Sequence, residues 1–127
     1  MNNILLIDDE DLVVKSVSKL LRMRGYSVSV ARSGDEALEK LKEIDFNLIV
    51  SDVRMPGKDG IETIKEIRKT LAAAGKKHVP EILITGYADR EKYDEAMSLE
   101  VADYIFKPFD NIDLLRLVEK NIKKIGE

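Results

Sequence analysis

Five short apolar runs recur along the chain, each followed by a longer stretch with helical periodicity. The runs are Asn3 to Ile7, Ser27 to Ala31, Asn47 to Ser51, Glu81 to Thr85 and Asp103 to Phe106. Their starts lie 24, 20, 34 and 22 residues apart, a spacing that suits repeated strand-loop-helix-loop units. Ile4 to Ile7 and Leu48 to Val50 are apolar without interruption. Unbroken runs fit a parallel sheet covered on both faces, whereas strict alternation would fit one wet face. Between the runs, Val13, Val14, Val17, Leu20 and Leu21 make one helical stripe, and Ala37, Leu38 and Leu41 the next. Ile61, Ile64, Ile67 and Leu71 follow at near-ideal spacing. Ala96, Met97 and Leu99 form a weaker set, and Leu115, Val118, Ile122 and Ile125 close the chain. Gly25 falls where a C-terminal glycine belongs. Ser33 is placed to N-cap the second helix, with Glu36 completing a capping box. The alternation predicts an α/β fold, a doubly wound parallel sheet of five strands with five helices. The longest connection, Ala72 to Pro80, is expected as a surface loop with Lys76, Lys77 and His78 solvated. Neither a linker nor a low-complexity tract interrupts residues 1–127, so they are expected to form a single domain.

The chain has 127 residues. Surface scaling gives about 6,800 Å² folded against about 20,900 Å² unfolded, enough burial for a core without staples. With no cysteine, disulfides, thiolate metal sites and a Cys nucleophile are excluded. His78 is the only histidine, which leaves little scope for a His-based relay. Lys plus Arg number 21 and Asp plus Glu 24, for a net charge of −3. That balance argues against nucleic-acid binding by charge. The apolar runs are far too short to span a bilayer. Met1-Asn2-Asn3 leads straight into the first run with no basic region or signal core, so a cytoplasmic location is expected.

In an open parallel sheet, ligands sit beyond the carboxyl ends of the strands. The first run ends in Asp8-Asp9-Glu10, the third in Ser51-Asp52, the fourth in Thr85-Gly86 and the fifth in Phe106-Lys107-Pro108. Three carboxylates, Asp8, Asp9 and Asp52, therefore converge on one rim with a hydroxyl and an ammonium. Like charges so close oppose joint ionisation, and a hard divalent cation such as Mg²⁺ would offset them. Lys107 suits a phosphoryl oxygen or a free carboxylate. A carboxylate nucleophile can form an aspartyl phosphate, so the set points to phosphoryl transfer. Singly the same residues have plainer readings. Asp9 or Asp11 could cap the first helix, and Thr85 could simply end its strand. The glycines form neither a dinucleotide fingerprint nor a phosphate-binding P-loop, and no nucleophile elbow is present.

Asp8-Asp9, the segment Asp52 to Gly57 with Asp59-Gly60, Thr85-Gly86 and Tyr104 to Phe109 together resemble the receiver domains of two-component response regulators. The resemblance covers essentially the whole chain. It implies the flavodoxin-like strand order 2-1-3-4-5 and a phosphorylated switch that catalyses its own phosphorylation and dephosphorylation, not an enzyme acting on an external substrate. Asp52 resembles the phosphoacceptor, served by a sensor histidine kinase. Asp9, Asp52 and the backbone carbonyl of Arg54 resemble direct Mg²⁺ ligands, and Asp8 the acid holding a metal-bound water. Lys107 resembles the lysine paired with the phosphoacceptor. Thr85 and Tyr104 resemble the switch pair, which would act on the fourth helix, fifth strand and fifth helix, roughly Ala88 to Lys124. That surface is also where a phosphorylation-dependent dimer would form, or a downstream partner bind. The Lys107-Pro108 bond is expected cis.

Departures from the family pattern carry their own expectations. Arg54 and Tyr87 flank the site and are expected to slow loss of the phosphoryl group. Glu100 stands where many relatives have glycine, so the end of the fourth helix is expected to be built differently. A small Mg²⁺-dependent phosphohydrolase using Asp9-Glu10-Asp11 is the alternative from another class. It leaves Asp52 and Thr85 without a purpose. Met1 lies so near the first strand that it is read as a natural start. A stand-alone receiver and a piece of a longer regulator both stay open.

Overall fold

The structure is a computed structural model that describes residues 2–86 and 90–126. Tyr87, Ala88 and the side chains of Lys124 and Ile125 lie outside the described residues. Ten elements alternate as expected: β1 (Asn3–Ile7), α1 (Asp11–Met23), β2 (Ser27–Ala31), α2 (Gly34–Glu43), β3 (Leu48–Asp52), α3 (Gly60–Ala73), β4 (Glu81–Gly86), α4 (Arg90–Ser98), β5 (Asp103–Lys107) and α5 (Asn111–Gly126). All strand pairs are parallel, in the order β2-β1-β3-β4-β5. β1, β3 and β4 are buried almost throughout, which is why they read as unbroken apolar runs. The edge strands β2 and β5 are only partly buried.

Strand side chains alternate between two cores. Leu5, Ile7, Ile49 and Leu83 pack with Ala37 and Leu41 of α2, Ile61, Ile64 and Ile67 of α3, and Ala96 of α4. Ile4, Leu6, Val50 and Ile84 face the other way, against Val17 and Leu21 of α1 and Leu114, Leu115 and Val118 of α5. Each covered strand side chain is worth about 1.5–3 kcal/mol in area removed from water. In α4 the apolar stripe is narrower than expected. Ala96 and Leu99 are buried, but Met97 is exposed.

The helix ends follow local rules with four corrections. Gly25, at φ +91°, ends α1 as expected, with Gly25 N donating to Arg22 O and Tyr26 N to Leu21 O. Ser33 Oγ accepts from Glu36 N at 3.2 Å, yet the Glu36 carboxylate takes the Arg32 N–H instead of that of Ser33, so the capping box is only half made. Neither Asp9 nor Asp11 caps α1. The N-cap position belongs to Glu10, whose side chain makes no cap bond, while Asp11 pairs with Arg32 beyond β2. The expected loop from Ala72 starts later, because α3 continues through Ala73. Within it Lys76 is tied to Asp45 at 2.6 Å. Glu100 adopts φ +53°, the left-handed backbone that glycine takes most easily, so the end of α4 keeps the usual turn at a cost in strain.

Candidate active site

Four strand ends form the carboxyl edge. Asp8 follows β1 directly and its N–H donates to Ala31 O at 3.0 Å, fixing it between β1 and β2. It is fully buried. Its Oδ1 accepts from Glu10 N at 2.9 Å, and its Oδ2 has no partner among the described residues. Burial pushes the Asp8 carboxyl up to about 6. Asp52, the last residue of β3, is 4% exposed. Burial raises its pKa, opposed by Lys107 and by the Arg54 N–H.

Lys107 ends β5. Its Nζ donates to Asp52 Oδ2 at 3.0 Å and to Glu10 Oε1 at 2.6 Å. Burial works against its charge, but these two carboxylates outweigh burial and hold it up to about 12. The Lys107-Pro108 peptide is cis, as expected. Thr85 is 1% exposed, and its Oγ1 also lacks a partner among the described residues. The register brings these groups together, since Asp52 pairs with Ile84, Thr85 with Phe106 and Gly86 with Lys107.

Ligand oxygens of Asp8, Glu10 and Asp52 lie within 4.8 Å of one another. Three carboxylates face one ammonium here. With an all-oxygen donor set and the buried, unpartnered Asp8 Oδ2, the residues fit a hard divalent cation. The structure brings Glu10 into this group. Asp9 is half-buried and is not a member of it. Glu10 was legible only as the third acid of Asp8-Asp9-Glu10, and nothing in the spacing said that it would face Lys107. Arg54 is exposed beside Asp52, and Tyr87 lies outside the described residues.

Tyr104 is half-buried on the same sheet face as Thr85, because Leu83 pairs with Tyr104 two positions before Thr85 pairs with Phe106. Its hydroxyl donates to the Ala96 carbonyl of α4 at 2.9 Å. The rings of Phe106 and Tyr93 of α4 lie 5.5 Å apart. A second link reaches α4 from the β3–α3 side. Asp59 N-caps α3, accepting from Glu62 N at 2.9 Å, while its other oxygen takes Lys92 Nζ at 2.6 Å.

Known proteins resemble this chain over nearly its whole length. A family model for the response regulator receiver domain matches residues 4–119. The transcriptional regulatory protein ZraR of Escherichia coli K12 is 38% identical over 118 residues, 93% of this chain and 26% of that protein. Response regulator RR06 of Streptococcus pneumoniae serotype 2 is 31% identical over 122 residues, 96% of this chain and 54% of that protein. The chain thus spans from about a quarter to about half the length of such relatives. Among solved structures, the chemotaxis protein CheY4 of Vibrio cholerae is 32% identical with a TM-score of 0.83, covering 94% of this chain and 98% of that one. A response regulator receiver domain from Clostridium thermocellum is 27% identical with a TM-score of 0.85, covering 99% and 98%. Among the described residues, no helix is long and apolar enough to cross a membrane.

Proposed function

Since the chain belongs to the response regulator receiver domains of two-component signal transduction, we propose that Asp52 is its phosphoacceptor and a phosphohistidine on a sensor histidine kinase the donor. The observation that carries this is Asp52 itself, a buried carboxylate 3.0 Å from the Lys107 ammonium and on the strand next to Thr85, whose hydroxyl has no partner among the described residues. In the transfer, a carboxylate oxygen of Asp52 forms the new O–P bond. The N–P bond of the donor breaks and its electron pair stays on the imidazole nitrogen. Lys107 neutralises charge on the phosphoryl oxygens, and Thr85 Oγ1 donates a hydrogen bond to one of them. Asp8, Asp9, Asp52 and the Arg54 carbonyl are the proposed holders of Mg²⁺, with Glu10 added by the cluster. When bound, Mg²⁺ would neutralise charge on the transferring group.

Thr85 and Tyr104 then act as the switch. Phosphorylation adds about −1.5 to −2 charge and new acceptor oxygens, which draw the Thr85 hydroxyl and the end of β4 toward Asp52. Tyr104 follows, and the Ala96 carbonyl bond passes the change to α4. The surface of α4, β5 and α5 thereby becomes the docking or dimerisation face, acting in the cytoplasm on a protein partner or output domain. The phosphoryl group favours a conformation already populated, as in other population shifts. Arg54, exposed beside Asp52, hinders attacking water and lengthens the life of the acyl phosphate; the same role for Tyr87 falls on a residue outside those described. The phosphohydrolase alternative gains nothing from the structure, because Asp11 is drawn to Arg32 and away from the cluster.

The test is intact mass after incubation with Mg²⁺ and acetyl phosphate, alongside Asp52→Ala. A gain of one phosphoryl group in the parent and none in the variant is expected. Equal labelling of both would remove Asp52 from the role.

A further inference from the structure

We propose that Glu10 competes with the phosphoryl group for Lys107 and thereby weakens the hold of the site on phosphoryl. The inference rests on the reading of Asp52 as phosphoacceptor and adds a residue that sets the strength of that site. Lys107 Nζ is closer to Glu10 Oε1, at 2.6 Å, than to Asp52 Oδ2, at 3.0 Å. Glu10 is held in place by its own backbone, with its N–H on Asp8 Oδ1 at 2.9 Å and its carbonyl accepting from Val14 N at 3.0 Å. It occupies the N-cap position of α1, where a short oxygen-bearing side chain normally satisfies a helix N–H. Its carboxylate makes no such bond and is directed to Lys107 instead. A broken local rule with a specific partner marks a residue placed for the site rather than for the helix.

The consequence follows from charge. In the unphosphorylated protein, two carboxylates share one ammonium. A phosphoryl group on Asp52 brings a second, stronger claim on Lys107 and repels the Glu10 carboxylate across the same few ångströms. The bound state must therefore draw Lys107 away from Glu10. Glu10 stands half-exposed at the mouth of the site and Lys107 is mostly buried, so the pair is partly screened. Removing the competitor should tighten phosphoryl binding by about twofold to fivefold.

The experiment titrates the chain with beryllofluoride as the phosphoryl mimic, at saturating Mg²⁺, by calorimetry. It compares the parent, Glu10→Gln, Lys107→Met and the double variant, with Mg²⁺ affinity measured separately for each. Tighter beryllofluoride binding by Glu10→Gln, with the gain lost or much reduced in the Lys107→Met background, supports the competition. Unchanged or weaker binding by Glu10→Gln overturns it, as does an equal gain in both backgrounds. Weaker binding that tracks a loss of Mg²⁺ affinity assigns Glu10 to the cation instead. A parent chain that binds no beryllofluoride overturns the phosphoacceptor reading as well, whereas parent binding with an indifferent Glu10→Gln overturns only the competition.

Discussion

Replacing Thr85 by valine should move stability and phosphoryl binding in opposite directions. Thr85 is 1% exposed and its hydroxyl has no partner among the described residues, so among them nothing compensates its desolvation in the unphosphorylated protein. An orphaned buried polar group costs about 1–3 kcal/mol, and an apolar group of the same shape removes that cost. Valine differs from threonine by a methyl in place of the hydroxyl and keeps the branched shape that β4 favours. Thr85→Val should therefore raise the stability of the metal-free protein by about 1–2 kcal/mol. The phosphoryl-bound state loses a hydrogen bond to a charged acceptor, worth about 1.5–3 kcal/mol, so beryllofluoride binding should weaken by roughly tenfold to a hundredfold. Urea unfolding in EDTA, followed by far-ultraviolet circular dichroism, reads the first quantity, and calorimetric titration with Mg²⁺ present reads the second. A Thr85→Val protein less stable than the parent would refute the reasoning, because the hydroxyl would then have a native partner. Stability gained with undiminished beryllofluoride binding would instead remove Thr85 from the site.

Substitutions at Asp59, Gly60 and Glu100 test how the helix ends are built. Asp59→Ala should cost about 1.5–2.5 kcal/mol by losing both its cap on α3 and its bond to Lys92. Asp59→Asn keeps a cap and should cost about 0.5 kcal/mol, and that smaller loss should vanish in a Lys92→Met background. Burial raises the Asp59 pKa, but the Glu62 N–H and the Lys92 ammonium outweigh it and hold the carboxyl below its ordinary value. The contribution of its charge is thus present above about pH 4 and fades as pH falls through the lower folded value, so the parent and Asp59→Asn stability curves should converge in acid. Gly60→Ala should cost about 3 kcal/mol or more in urea unfolding, since its Cβ would lie 2.0 Å from the Asp52 carbonyl oxygen, which is backbone and cannot turn aside. Glu100→Gly should stabilise by about 0.5–1 kcal/mol, because relief of the φ +53° strain exceeds the added flexibility of the unfolded chain. A lower melting temperature for that variant would show that the Glu100 carboxylate matters more than its backbone.

What could be read from the chain was whatever depends on period and punctuation. Burial on both faces makes β1, β3 and β4 continuous in apolarity, and the first residue that breaks each run marks a strand end. That is why Asp8, Asp52, Thr85 and Lys107 can be gathered from four distant stretches by sequence alone. Gly25 and Ser33 were legible for the same reason, as local backbone needs matched to residue type. α4 was harder. Its stripe is weak, and a helix that buries little encodes little, so the pattern does not tell exposed Met97 from buried Ala96 and Leu99.

Other features depend on dihedral angles or tertiary reach, which no spacing carries. Which of Asp8, Asp9 and Glu10 meets Lys107 is decided by the turn from β1 into α1. The Glu36 carboxylate takes the N–H one residue earlier than the capping pattern predicts, a choice made by the entry angle into α2. The Asp59–Lys92 bond spans 33 residues, and the Tyr104 hydroxyl finds a backbone carbonyl that any residue could have offered. Least legible of all are the two buried side-chain atoms without partners among the described residues, Asp8 Oδ2 and Thr85 Oγ1. Buried polar groups are satisfied nearly everywhere in folded proteins, so each exception needs a reason. Here both exceptions sit on one edge, at the ends of the strands on either side of Asp52. One is an acceptor suited to a cation and the other a donor suited to an anion. A packing fault would have no cause to place that complementary pair around a single carboxylate, whereas a site that receives a phosphoryl group together with a divalent cation requires both.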